Sequence, residues 1–417
     1  MSEKKSSLGL DGRARTTLVW MCVLVTVNQL GFGAIVPVIA LYAEEFGVSK
    51  TAIGLAVAIY GLARLMLNVP AGRLADRAGR RTTLAVGGAL TVIGAALCAL
   101  APTYVLFLAA RFVAGAGAAF VLTGGQIVMA DIARPHNRGR VMAIYQGVFL
   151  VTVGLGAFPG GWLAANFGLA APFWANAVLA LAVTVVAWFF VPETKPAVEP
   201  LPAGSTPAPA AGFWTEIRYL LHERNLVLIS LVTLAAAFVR TGGLFNVIPI
   251  LAEQEMHLEP DQIGVGLGMI SIVGLFLVYP SGMLVDRFGR KAVIVPSTVL
   301  SAVGMVAFVV ADDFGSFLLA STFWAAAGGI AGAAPGAYAA DVAPKGMMAS
   351  AMGVYRALSD VGYVIGPMTM GAISDVAGTD TSLIVTAVLL FAVGMLFAFR
   401  ADESLPSRTA EVRAKAS

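Results

Sequence analysis

Residues 72–81 read GRLADRAGRR, and residues 282–291 read GMLVDRFGRK. The two decapeptides lie 210 positions apart in a chain of 417 residues, only 12% of which are charged. Each holds glycine at its first and eighth places, one aspartate between them and two basic residues at its end, so each reads as a tight charged turn between apolar segments. The echo continues outside them at the same offset: Pro70 with Pro280, Ile53-Gly54 with Ile263-Gly264, Ala130-Asp131 with Ala340-Asp341, Tyr145 with Tyr355, Gly156 with Gly366, and Gly161 with Gly371. A period of this length predicts two copies of one large unit.

What surrounds the decapeptides is apolar. Hydrophobic residues make up 58% of the chain and the mean hydropathy is +0.84, far from the composition of a soluble domain. Apolar runs fall at 17–42, 51–71, 82–101, 105–130, 140–165 and 171–191, and again at 225–251, 262–281, 292–311, 316–340, 348–374 and 382–400. A bilayer core about 30 Å thick takes roughly 20 such residues. A lone segment in lipid has to satisfy its own backbone hydrogen bonds, so each run is predicted to be a helix. The expected fold is therefore an all-α membrane protein of 12 transmembrane helices in two six-helix pseudo-symmetric bundles. The bundles are 1–191 and 225–417, the second with a cytoplasmic tail, and 192–224 is the segment between them.

That segment begins PETKPAVEPLPAGSTPAPAAG (192–212), with too much proline for a helix, and reads as a linker. The following FWTEIRYLLHERN (213–225) alternates apolar and charged residues at helical spacing, which predicts an interfacial helix. Of the 27 Lys and Arg, 22 fall on the side of the N-terminus, Lys50 falls on the other, and Arg64, Arg111, Arg240 and Arg356 fall within spans. Basic residues are retained in the cytoplasm, so both termini and both decapeptides are expected there, in an inner (plasma) membrane. The first run is too long for a signal peptide and is read as an uncleaved span. Basic residues do not cluster on one soluble face, so no nucleic-acid partner is expected. Cys22 and Cys98 lie in different apolar segments and read as small buried hydrophobes.

On these residues the chain resembles the major facilitator superfamily, and within it the twelve-helix drug:proton antiporter group. Gly72, Leu74, Asp76, Arg77, Gly79, Arg80 and Arg81 match the family's signature loop G-x-L-a-D-r-x-G-r-k, and Gly282, Leu284, Asp286, Arg287, Gly289, Arg290 and Lys291 match its second copy. The resemblance implies that Asp76 latches the two halves on the cytoplasmic side, with Asp286 as the weaker counterpart and the arginines meeting nearby carboxylates or anionic lipid headgroups. In span 4, RFVAGAG (111–117) resembles the R-x-x-q-G-x-g motif, with Ala114 where glutamine is common, and implies a part for Arg111 in proton transfer. Span 5 carries GLGAFPGGWL (154–163), close to the antiporter signature G-P-x-x-G-G but with Ala157 at its proline. Gly156, Gly160 and Gly161 there, and Gly366-Pro367 at the equivalent place in span 11, are expected to shape a bending interface.

Within the spans the one clear acid is Asp360, four residues after Arg356 and hence on the same helix face. An acid that is paired in one state and desolvated in another is a proton switch, whereas a permanently paired one is structural. Fixed positive charge in excess favours an anionic or zwitterionic substrate, if Arg240 and its fellows face a cavity. Asn28 and Gln29 in span 1, Asn246 in span 7, and Tyr145 and Tyr355 are the other expected cavity residues. Parallel six-helix repeats place such a cavity near the bilayer midplane. No G-x-x-x-x-G-K-[ST] loop, G-x-S-x-G elbow or H-E-x-x-H helix occurs, so neither ATP hydrolysis nor an enzyme is expected. The expectation is a secondary active transporter with a small-molecule substrate, protons and membrane lipids as partners, no cofactor and no metal. Family resemblance implies a monomer. Export by proton antiport, uptake of an organic anion by symport, and a sensor built on the same fold stay open.

Overall fold

The computed structural model describes residues 10–133, 138–195, 213–332, 334–344 and 347–404, and every regular element among them is helical. Spans 1 to 6 are Gly12–Ile35, Lys50–Ala78, Arg80–Ala99, Tyr104–Ile132, Arg138–Phe167 and Ala171–Phe189. Span 7 is composite, with Arg224–Val239, a π-helical stretch Arg240–Val247, and Ile248–Gln254. Spans 8 and 9 are Pro260–Phe288 and Lys291–Val309, and span 10 runs through Phe314–Ala331 and Ala334–Asp341. Spans 11 and 12 are Met348–Ala377 and Thr379–Arg400. Ile39–Glu44 follows span 1 after a turn, and Phe213–Leu220 is the short helix expected before span 7.

Eleven of these spans are long and apolar enough to cross a membrane. The twelfth, Met348–Ala377, has 30 residues, about 45 Å at 1.5 Å per residue, and its hydropathy is lowered by Arg356, Asp360 and Asp375. Large apolar side chains point outward along the spans, among them Val105 (73% exposed), Phe276 (75%) and Val376 (90%). On a soluble protein such a surface would aggregate, whereas in hydrocarbon it is the favourable one.

The chain packs as two compact units. One comprises Met1–Val48, Leu55–Val198 and Glu259–Ser271; the other comprises Ser49–Gly54, Glu199–Leu258 and Ile272–Ser417. The expected linker lies for the most part outside the described residues, at 196–212. Local devices recur at the 210-residue offset. Gly79 and Gly289 break their chains at φ +96° and +93°, Gly168 and Gly378 at +86° and +89°, a region open to glycine at no steric cost. Thr103 and Asp313 cap spans 4 and 10, accepting hydrogen bonds from Leu106 N at 3.4 Å and Ser316 N at 2.7 Å.

Two interruptions depart from the expected continuous helices. Span 7 loosens to π-helical turns at Arg240–Val247, and span 10 breaks at Gly332, where φ is +49°. A π-helical stretch shifts the register of the side chains and is frequent at functional sites.

Candidate functional site

Each decapeptide organises one end of its unit. Behind Gly79 the first N–H groups of span 3 are free of intrahelical partners. The Glu193 carboxylate takes them, accepting from Arg80 N at 2.9 Å and Arg81 N at 3.2 Å. Burial pushes this carboxyl up, but backbone N–H donors from Arg80, Lys195, Arg81 and Thr194 outweigh it and hold the group below its ordinary 4.5. Arg80 is 8% exposed. It pairs with Asp131 (Nε to Oδ2, 2.9 Å), donates to Ala75 O at 3.0 Å and approaches Asp76 at 3.5 Å. Thr194 Oγ1 donates to the same Asp131 oxygen, and Lys195 Nζ to Arg77 O.

The second unit repeats the glutamate and Arg–Asp contacts of this network at the 210 offset. Glu403 accepts from Arg290 N at 2.9 Å and Lys291 N at 3.0 Å. Arg290 pairs with Asp341, Ser404 donates to Asp341 at 3.0 Å, and Lys291 Nζ donates to Ala401 O at 2.7 Å. Arg287 lies 5.2 Å over the Phe288 ring. Asp76 stands apart, with its side chain 74% exposed and Arg80 its one ionic contact among the described residues of its unit. A carbon added at Gly72 or Gly282 would meet nothing within 4 Å, so the turn resides in Gly79 and Gly289. The Asp286 side chain lies outside the described residues.

The antiporter-like segments bring backbones into contact. A Cβ at Gly156 or Gly160 would lie 2.4 Å from Leu30 O or 2.1 Å from Ala34 O, so span 5 packs on span 1 through glycine. At Gly366 it would lie 2.4 Å from Phe238 O, which seats span 11 on span 7 in the same way. Within the first unit a Cβ at Gly161 would lie 2.4 Å from Pro260 O and one at Gly264 2.6 Å from Ala157 O; within the second, one at Gly371 would lie 2.3 Å from Lys50 O and one at Gly54 2.1 Å from Pro367 O. These two sets are again related by 210 residues.

Pro367 has no N–H, so the Tyr363 carbonyl four residues earlier lacks its helical donor. Thr241 Oγ1, from the π-helical stretch, sits 3.2 Å from that carbonyl and 2.9 Å from Ala237 O, so the two carbonyls share its one hydrogen. Asn246, on the same stretch and fully buried, donates to Pro367 O at 2.9 Å. Its Oδ1 is buried with no partner among the described residues. The expected cavity residue Asn246 thus sits in the joint between span 7 and the bend of span 11.

A pocket inside the first unit is lined by Asn28, Phe32, Tyr60, Thr91, Asn176 and Arg111, with apolar residues between them. Arg111 is 2% exposed; its Nε donates to Ala56 O at 3.2 Å and its guanidinium carbon lies 4.7 Å over the Tyr60 ring. Asn28 Nδ2 donates to Gln29 Oε1 at 2.8 Å, which fixes Gln29 behind the pocket wall. Tyr145 lies in the packed interior of the first unit. It is 1% exposed in the apolar core with Met21, Leu24, Val25 and Val128, because its ring packs against Gly125 where no side chain intervenes.

In the second unit Arg240 and Arg356 are exposed and Asp360 is half-buried, with Arg356 and Asp360 one turn apart on span 11. Tyr355 accepts a hydrogen bond from Thr233 Oγ1 at 3.0 Å. Among the described residues no cluster of His, Cys, Asp and Glu could hold a metal ion. Reasoning from sequence missed Glu193 and Glu403, Thr241, and the pocket residues Thr91 and Asn176. For the glutamates a signal was present, since Glu193-Thr194 and Glu403-Ser404 obey the 210 offset.

With two pseudo-symmetric helical units and the signature loops in place, comparison with known proteins fixes the class. The sequence profile of the Major Facilitator Superfamily matches residues 21–259 and 230–417. The chain belongs to that superfamily and is a multi-pass membrane transporter. It is 23% identical to an uncharacterized MFS-type transporter of Methanocaldococcus jannaschii, covering 92% of this chain and 97% of that one. It is 25% identical to the multidrug resistance protein MdtL of Escherichia coli, over 68% of this chain and 70% of the relative. Among solved structures, a bacterial homolog of the human lysosomal transporter Spinster superposes with a TM-score of 0.76 at 16% identity, covering 92% and 96% of the two chains.

Proposed function

We propose that the protein is a proton-coupled secondary transporter of the inner membrane that exports a small amphipathic molecule, drug-like or anionic, by alternating access. Its termini and both decapeptides face the cytoplasm. The observation that carries this reading is the repeated set of glycine-on-carbonyl contacts at spans 5 and 8 and at spans 11 and 2. Contacts between bare backbones involve no interdigitated side chains, so they separate and reform without rotamer changes. That is what a transporter needs where spans must part and close in every cycle. Similarity to MdtL supports export.

Asp360 is the coupling group in this reading, since it is the half-buried acid of span 11 and has Arg356 one turn away. A guanidinium does not release its proton in proteins, so Arg111 acts in coupling only through its fixed charge. Asp76, exposed beside Arg80, is the gating carboxylate, and the Glu193 and Glu403 networks hold the decapeptides in shape for it.

Everted membrane vesicles test the proposal. An acid-inside gradient should drive accumulation of an exported dye or drug, and collapse of the gradient should release it. Accumulation under the opposite gradient would favour uptake by symport. Ligand binding with no gradient-driven movement of any compound would favour the sensor.

A further inference from the structure

The pocket at Arg111 has a charge imbalance that a part in coupling does not account for. A guanidinium carries five N–H donors, and of these only Nε is engaged, with Ala56 O. The other four have no hydrogen-bond partner among the described residues, although Arg111 is 2% exposed and lines the pocket. The face of Tyr60 offsets part of the charge. Among the described residues no acidic side chain lines the pocket. An arginine inside a span without a counter-charge is costly and is retained where a ligand or partner completes it.

The remaining polar groups of the wall suit an anion. Asn176 is 6% exposed, and its carboxamide occupies the space a side chain at position 31 would fill, so Gly31 keeps it in the wall. Asn28 spends one amide hydrogen on Gln29 and has a second. Thr91 lines the wall beside them, its hydroxyl donating to Gly87 O at 2.9 Å. Phe32 stacks on Tyr60 with ring centroids 5.3 Å apart and closes the apolar side. The pocket has room for about one water-sized group, so a fork of unused guanidinium donors with amides nearby is matched by the head of a small monoanion, a carboxylate above all, which accepts from an arginine in bidentate fashion.

We infer that the Arg111 pocket is a monoanion-binding site of the first unit, taking either the anionic head of an aromatic or aliphatic acid or a free inorganic monoanion. In the first case it names the substrate class of the transporter and rests on the reading above; in the second it stands apart from it.

The test is heat unfolding of the purified full chain in detergent at constant ionic strength, titrating chloride, nitrate, benzoate and benzenesulfonate against a background of sulfate, a dianion. Wild type should be stabilised in a saturable manner. Arg111→Gln should raise the half-saturating concentration by about 10- to 100-fold, the range for loss of hydrogen bonds to a charged group. Since that variant can fail to fold, Asn176→Asp is the second arm. It supplies the missing carboxylate inside the pocket, so it should melt higher than wild type in sulfate and lose the response to added anions. Stabilisation by chloride and nitrate as well as by the organic acids assigns the site to free anions; stabilisation by benzoate and benzenesulfonate alone assigns it to a substrate head group. A melting temperature indifferent to all four anions overturns the inference, as does a response that Arg111→Gln and Asn176→Asp leave unchanged. Binding here needs no gradient, so a protein that binds benzoate and moves nothing would sink the transport reading while leaving the pocket intact.

Discussion

Gly160→Ala is the perturbation whose cost follows most directly from the geometry. A Cβ on Gly160 would stand 2.1 Å from Ala34 O, 2.5 Å from Ala34 Cα and 2.6 Å from Ala34 C. All three atoms are backbone, so no side chain can swing aside, and ordinary contact begins at 3.4 Å. Spans 1 and 5 must therefore part by about 1 Å along this contact. Forcing a methyl group into a packed interface costs about 1–3 kcal/mol. Removing a helix-interior glycine returns roughly 0.5–1 kcal/mol, so a net loss of about 1–2 kcal/mol is expected. Gly147 on the same span is the control, because a Cβ there meets nothing within 4 Å. Gly147→Ala should be neutral or stabilising by up to about 1 kcal/mol. Thermal unfolding in detergent, followed by tryptophan fluorescence, compares the two. Should Gly160→Ala melt at or above wild type while Gly147→Ala does not rise above it, the close approach of spans 1 and 5 is wrong.

Glu193→Gln should destabilise the protein by about 1 kcal/mol at neutral pH, as loss of an exposed charged cap does. The native carboxyl sits below 4.5, so its contribution is complete above that value and fades as pH falls further. Melting curves of wild type and variant should thus converge below pH 4.5, and a gap that persists in acid would refute the assignment. Asp76→Asn should slow turnover with substrate affinity largely kept, measured by initial rates of efflux; wild-type rates would make Asp76 a topology anchor only. Thr241→Val removes the hydroxyl that the Ala237 and Tyr363 carbonyls share. A loss of about 0.6 kcal/mol in melting stability, the mean for hydrogen bonds between helices in membranes, is expected, and a stabilised variant would contradict the bond.

The spans and the duplication were legible in sequence because lipid leaves the backbone one solution and the repeat kept its spacing, from Pro70 and Pro280 to Gly161 and Gly371. Glu193 was not, since it follows span 6 in a Pro-rich stretch that reads as linker, and its partners Arg80 and Arg81 lie more than 100 positions away. The π-helical turns of span 7 leave no periodic trace in RTGGLFNV, and Thr241 and Asn246 within them meet span 11. Arg111 announced itself as an arginine in an apolar run, yet Thr91 and Asn176 did not. Each is one small polar residue on a different span, and only packing brings them to one pocket. For Tyr145, an aromatic ring serves a cavity wall and a core equally well, and its burial beside Gly125 is a property of the packed unit.

Proton coupling through Asp360 is tested most directly in proteoliposomes with a pH-sensitive dye sealed inside and no imposed gradient. Adding a transported compound outside should acidify or alkalinise the lumen in step with its movement, because substrate flux and proton flux are linked in both directions. Wild type should show that proton movement, and Asp360→Asn should keep substrate binding and lose it. Proton movement of wild-type size in Asp360→Asn, or none in wild type while the substrate crosses, would contradict the mechanism.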